Sequence, residues 1–300
     1  MNNHILIVGT GALATLFAAR LKQAANQITM LGTWNAGLEA LRKVGARLVE
    51  MDGTEHQFEV QATNDPRECR GIKSVLVLVK AWQTERVGSQ LQECLPDDGL
   101  AITLQNGLGN REILAKSLGL DRVALGTTTT GATLLGPGLV REGGQGIISI
   151  ERHPSLGLMV EALTSAKFNV QPVDDAQSLI WGKLVINAVI NPLTALLRVS
   201  NGKLLESPSA REMMGALANE AAQVAAAEKI HLPFSDPVAA VEEVASKTAE
   251  NHSSMLQDIL RGAPTEIDAI CGAVVKVAQK HNLDTPVNWA CWKLVKGLTE

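Results

Sequence analysis

Residues 4–9, HILIVG, form a short apolar run that stops at a glycine, the pattern of a strand buried on both faces. A helical pattern, ALATLFAARLKQA (12–24), follows at once. Apolar runs recur in QITMLG (27–32), SVLVLVK (74–80), LAITLQNG (100–107) and RVALGTTTT (122–130), with helical stretches between several of them. That alternation predicts right-handed βαβ units in a doubly wound parallel sheet. Residues 155–168 predict one more helix and 169–175 a short connection. From about 176 onward the chain predicts helices only, over 208–230, 236–262, 263–281 and 285–298. Asp236-Pro237 reads as a cap followed by a first-turn proline, and Pro286 as another helix start. The expected architecture is therefore α/β over 1–174, followed by an all-α domain over 175–300.

One stretch breaks its own pattern. WGKLVINAVINPLTALL (181–197) is apolar apart from Lys183, Asn187 and Asn191, each four residues from the next. On a helix this spacing makes one slanted polar stripe. Polar groups on a buried helix must be paired, at a cost of roughly 1–3 kcal/mol for each one left unsatisfied. A structural reading has Lys183 reaching solvent and the amides capping nearby backbone. The functional reading has a row of donors lining a cleft for a small polar anion. Pro192 follows directly and is expected to kink the helix.

Composition narrows the classes. At 300 residues the chain is long enough for two domains, and at 46% hydrophobic and 19% charged it can bury a substantial core. A net charge of −4 argues against binding nucleic acid or an anionic membrane. Cys69, Cys94, Cys271 and Cys291 are scattered without a CxxC pair, so they read as reduced core thiols of a cytoplasmic protein. Neither they nor the six histidines show metal-ligand spacing, and no metal is expected. ILIVGTGALATLFAARL has no preceding Lys or Arg and is broken by glycines, so it reads as neither a leader nor a membrane span.

Gly9-Thr10-Gly11-Ala12-Leu13-Ala14 fits G-x-G-x-x-G/A between a buried strand and a helix. Gly9 serves the tight turn, Gly11 the approach of a pyrophosphate and Ala14 close helix–strand packing. The alternative is an ordinary glycine turn. The context favours a dinucleotide-binding, Rossmann-type domain, with the helix N-terminus facing the phosphates. The second strand ends in Leu31-Gly32-Thr33-Trp34-Asn35, without the acid that usually holds an NAD ribose. This leaves room for a 2′-phosphate but supplies no cation for it. NADP(H) is favoured, with NAD(H) still open. Lys80 and Asn106 stand at the ends of two further strands, where ligands gather in open α/β sheets.

KAWQT (80–84), LQNGLGN (104–110), GKLVINAVINPLTALLRVSNGKL (182–204) and ENHSSMLQDILRGAPTEIDAICG (250–272) together resemble the ketopantoate reductase (2-dehydropantoate 2-reductase) family along the whole chain. The resemblance implies NADPH-dependent reduction of ketopantoate to pantoate, a precursor of pantothenate and coenzyme A. By the same resemblance Lys183 corresponds to the catalytic lysine and Glu266 to the glutamate that faces the site and the cofactor. Asn106, Asn187, Asn191, Asn201, Asn251 and Ser254 correspond to substrate-binding residues, while Lys80, Ala132 and again Asn106 lie where the family meets the cofactor. The family commonly has an arginine for the 2′-phosphate where this chain has Thr33.

The residue types suit that reaction. A lysine near the carbonyl stabilises the growing oxyanion and gives it a proton, and partial burial lowers its pKa toward neutrality. The asparagines and Ser254 bond a carboxylate and a hydroxyl without a second full charge. Glu266 is expected to face the hydroxyl end or the cofactor ribose, away from the acid end. Competing readings are a related dehydrogenase of another hydroxy acid, one acting on a sugar-acid phosphate, and a non-catalytic NAD(P) sensor. A phosphate substrate would want more Arg or Lys than this stripe offers. A small-molecule substrate and a monomeric or homodimeric state complete the expectations.

Overall fold

The computed structural model describes residues 3–300. Two compact units emerge, one of residues up to 105 together with 110–176, the other of 106–109 together with 177–300.

The first unit runs β1 (His4–Val8), α1 (Ala12–Gln23), β2 (Gln27–Leu31), α2 (Asn35–Lys43), β3 (Ala46–Val49), β4 (Glu55–Phe58), β5 (Gln61–Thr63), β6 (Ser74–Val77), α3 (Thr84–Cys94) and β7 (Leu100–Thr103). It continues with α4 (Asn110–Leu118), β8 (Val123–Thr128), β9 (Ala132–Gly136), β10 (Leu139–Glu142), β11 (Ile147–Glu151), α5 (Gly157–Ser165) and β12 (Asn169–Val173). An eight-stranded sheet has the order β12-β11-β8-β7-β6-β1-β2-β5. It is parallel from β5 to β8, and β11 pairs antiparallel to β8. The apolar run of β1 is explained by burial on both sides. Ile5 and Ile7 join a core with Leu16 and Phe17 of α1, while Leu6 and Val8 join a second core with Leu91 of α3 and Leu114 of α4. Chain order reverses at β1, which pairs with β2 on one side and β6 on the other, so the loops after these strands lie at a switch point.

Several parts of this unit depart from the sequence expectation, among them β5 and the antiparallel β11, which join the main sheet where no strand was expected. Residues 169–173 are an edge strand, β12, paired in register with β11, and the preceding helix covers only 157–165. A second sheet, β4-β3-β10-β9, was not expected at all. Its strands are four or five residues long, and β4 and β9 are half exposed and partly polar, so they lack the continuous apolar run that marks β1. α1 packs against this sheet. Arg20 of α1 binds Glu142 at 2.7 Å and Glu50 at 3.2 Å.

The second unit is helical, with α6 (Ala176–Leu197), α7 (Lys203–Glu206), α8 (Pro208–Ala227), α9 (Pro237–Lys247), α10 (Ser254–Leu260), α11 (Cys271–Lys280) and α12 (Pro286–Gly297). The helix expected over 236–262 is interrupted between α9 and α10, and the one expected over 263–281 begins only at Cys271. Among the described residues α6 alone is long and apolar enough to cross a membrane, but it is 72% buried within the protein, as a core helix is. Leu184, Val185, Ala188 and Val189 pack with Leu217 of α8 and Val274 of α11. All four cysteines are buried free thiols. Burial pushes Cys69 up to about 12 and Cys94 and Cys291 to about 11, so they stay protonated.

Asp236 caps α9 as expected, accepting from Val238 N at 2.9 Å and Ala239 N at 3.0 Å. α12 is capped from another helix instead. Glu220 of α8 accepts from Val287 N at 2.9 Å, Asn288 N at 2.8 Å and Asn288 Nδ2 at 2.9 Å. Glu220→Ala removes all three bonds from a helix start whose Asn288 is fully buried, and should cost about 2 kcal/mol by denaturant unfolding.

Candidate active site

The β1–α1 turn is built for close approach. Gly9 has φ +133°, and a Cβ there would lie 2.9 Å from Leu78 O and 3.3 Å from Ala14 Cβ. Its N–H donates to Leu31 O at 2.8 Å, which ties the turn to β2. Ala14 is fully buried against the sheet, Thr10 is buried, Ala12 and Leu13 are half-buried and Gly11 is exposed. No atom lies within 4 Å of the place a Gly11 Cβ would take. The exposed backbone at the start of α1 therefore fits a pyrophosphate. Thr33 is exposed just past β2, and Trp34 beside it lays its ring against Gly37, where a Cβ would meet it at 2.4 Å. Lys80 is half-buried three residues past β6. Ala132 opens β9 in the smaller sheet and is half-buried.

In the helical unit, Lys183 lies on α6 and is partly buried. Burial pulls its pKa from 10.5 down to about 8, against the opposing pull of the Glu266 charge. Glu266 is 5% exposed, and Asn106 Nδ2 donates to its Oε2 at 3.2 Å. Asn187 is half-buried and Asn191 is buried. Among the described residues neither side-chain amide is paired with backbone. Asn201 is 6% exposed; its Nδ2 donates to Thr248 Oγ1 at 2.8 Å, while its buried Oδ1 has no partner. Asn201 N donates to Asn251 O at 3.0 Å, so these two are neighbours, although the Asn251 side chain is exposed. Ser254 is exposed at the first position of α10, and its neighbour Ser253 is the buried cap.

The structure thus brings Lys183, Glu266 and Asn106 into one charged and hydrogen-bonded set, and Asn201 beside Asn251. The glycine turn, Thr33, Lys80 and Ala132 belong to the sheet unit.

The family pattern described as ketopantoate reductase PanE/ApbA matches residues 5–155, and the one described as ketopantoate reductase PanE/ApbA C terminal matches 175–299. A 2-dehydropantoate 2-reductase of Archaeoglobus fulgidus is 37% identical over 98% of this chain and 97% of its own length. The chain belongs to the ketopantoate reductase family. A crystal structure of a PanE/ApbA family ketopantoate reductase from Ralstonia eutropha matches with TM-score 0.92 at 27% identity, covering 99% of this chain and 98% of that one. The ternary structure of D-mandelate dehydrogenase with NADH and anilino(oxo)acetate matches with TM-score 0.93 at 26% identity, over 99% and 98%. The ketopantoate reductase fold therefore accounts for both units of this chain.

Gly107 was missed in the sequence. It has φ +83°, and a Cβ there would lie 2.4 Å from Ala269 O, whose carbonyl also accepts from Leu108 N at 3.1 Å. It seats the loop that carries Asn106 against the segment that carries Glu266. The Asn-Gly pair was the available signal, since this dipeptide marks tight turns.

Proposed function

We propose that this protein reduces ketopantoate to pantoate with NADPH, Lys183 acting as general acid. The observation that carries the reading is Lys183 itself, a partly buried ammonium whose pKa is lowered to about 8 beside Glu266, on the helix face that also carries Asn187 and Asn191. The turn from Gly9 to Ala14 would hold the dinucleotide pyrophosphate, with Thr33, Lys80, Ala132, Asn106 and Glu266 as further contacts. When bound, the nicotinamide supplies the hydride.

The chain's own groups supply the rest. Lys183 points charge at the carbonyl oxygen as it becomes an alkoxide and passes it a proton. A group with a pKa of about 8 is mostly protonated at neutral pH yet gives up its proton readily. Asn187, Asn191, Asn201, Asn251 and Ser254 bind the carboxylate and hydroxyl. Asn201 has an unpartnered acceptor, Oδ1, which suits a hydroxyl. Glu266, steadied by Asn106, accepts from a substrate hydroxyl or holds Lys183 in place. A carboxylate directed at the acid end would repel it, so Glu266 serves the hydroxyl end.

The close match to D-mandelate dehydrogenase favours one second reading, a dehydrogenase of another 2-oxo acid that uses NADH. The deciding assay follows oxidation of NADPH and NADH in parallel against ketopantoate, other branched 2-oxo acids and an aryl 2-oxo acid. Preferential turnover of ketopantoate with NADPH supports the proposal. Preference for the aryl acid with NADH replaces it. No reduction of any 2-oxo acid, with dinucleotide still bound, points to a sensor. Thr33→Arg adds the missing cation for a 2′-phosphate and should raise the NADPH-over-NADH ratio of kcat/KM by about tenfold.

A further inference from the structure

A proline inside a helix leaves a carbonyl without its helical partner. In α6 the proline is Pro192, four residues after Ala188. The helix continues through it, and the Cys271 thiol takes the place of the missing N–H, with Sγ 3.4 Å from Ala188 O. Cys271 is fully buried, at the first position of α11. A second attachment lies farther along α6. Thr194 Oγ1 is 2.7 Å from Ile190 O and 2.7 Å from Ser253 Oγ, and Ser253 accepts from Leu256 N at 3.1 Å. One proton per hydroxyl satisfies this chain when Ser253 donates to Thr194 and Thr194 to Ile190 O.

The two attachments stand three residues to either side of Asn191. Their far ends adjoin the other polar groups, since Cys271 is five residues past Glu266 and Ser253 precedes Ser254. An ordinary helical N–H would close the Ala188 bond within α6 and fix nothing about a neighbouring segment. Pro192 hands that bond to another segment.

We propose that Pro192 and Cys271 act together as a positioning device for the 2-oxo acid site, the proline freeing Ala188 O and the thiol taking it, so that Asn187 and Asn191 are held in register with Glu266. The inference rests on the reduction proposed above. Burial holds the Cys271 thiol well above its ordinary pKa, so it remains a donor.

The test is a double-mutant cycle of Cys271→Ala and Pro192→Ala, with Cys271→Ser as the conservative variant. Alanine at 192 restores a helical N–H to Ala188 O and makes the thiol redundant. Cys271→Ala alone should raise KM for the 2-oxo acid about tenfold and leave KM for the dinucleotide unchanged. In the Pro192→Ala background the same change should cost less than about twofold, and Cys271→Ser should stay within about twofold of wild type. Equal costs in both backgrounds, or a serine variant as impaired as the alanine one, overturns the proposal. If Cys271→Ala alone does not fold, recovery of a folded double variant supports it, and failure of the double variant where Pro192→Ala folds overturns it.

A reading without substrate separates this inference from the assigned reaction. Titration of Lys183 by NMR should stay near about 8 in Cys271→Ser, and move toward 10.5 in Cys271→Ala as water reaches the displaced site. If the wild type reduces no 2-oxo acid, the functional reading fails, and an unmoved Lys183 in Cys271→Ala then overturns the positioning role on its own.

Discussion

Replacing Lys183 with alanine is expected to lower kcat for 2-oxo acid reduction by about 10³-fold while the dinucleotide binds with unchanged Kd. The size follows from the two tasks assigned to one group. An ammonium near the carbonyl stabilises the developing alkoxide, and the same ammonium supplies its proton. Both are lost in alanine, and water replaces them poorly. Steady-state kinetics and calorimetric titration of dinucleotide check the two halves of the expectation. Turnover within tenfold of wild type would remove Lys183 from its role. Arginine does not substitute, because its guanidinium keeps its proton throughout the accessible pH range.

The pH dependence follows from the lowered pKa of Lys183. In the proposed reaction Lys183 acts in its protonated form, so kcat/KM should be level below about 8 and fall about tenfold per pH unit above it. The same shift acts on stability. In the folded protein Lys183 releases its proton near 8, and in the unfolded chain near 10.5. Between those values the unfolded state binds more protons, so this residue's contribution to stability rises with pH across that window. Below it the buried charge is a standing cost. Lys183→Met should therefore unfold at higher denaturant concentration than wild type at pH 7 while being inactive.

Gly107→Ala is expected to reduce kcat/KM by about 10²-fold and stability by about 2–4 kcal/mol. Two independent observations require glycine there. The backbone is in the left-handed region at φ +83°, and a Cβ would stand 2.4 Å from Ala269 O and 2.7 Å from the Ala269 side chain. Neither neighbour is the free end of a flexible side chain. The loop must move, and Asn106 moves with it, away from Glu266 Oε2. Because Lys183 responds to the Glu266 charge, the alkaline limb of the pH profile should shift in this variant as well. Activity within twofold of wild type, measured beside a denaturant curve, would show that Asn106 does not depend on this seat.

What could be read from the chain was periodic and local. The buried strand, the glycine turn and the opening of α1 are consecutive, so their roles show in consecutive residues. The stripe of Lys183, Asn187 and Asn191 was visible because a helix repeats on itself every three to four residues. Asp236 and Pro237 announced α9 for the same reason. The smaller sheet escaped notice because a short, half-exposed strand such as β4 owes its identity to its partner β3 rather than to its own residues. Ser253 and Ser254 are alike in sequence, and only the fold makes one a buried cap and leaves the other exposed.

The amino-acid sequence by itself therefore determined the α/β-then-helical organisation, the dinucleotide-type turn and the polar face of α6, since each depends on spacings of a few residues. Tertiary structure alone decided that Asn106–Gly109 belongs with the helical unit, that Glu220 caps α12 and that a thiol answers the carbonyl freed by Pro192. Each of these joins groups separated by dozens of positions, and no local pattern encodes which distant donor will meet which acceptor once the chain has packed.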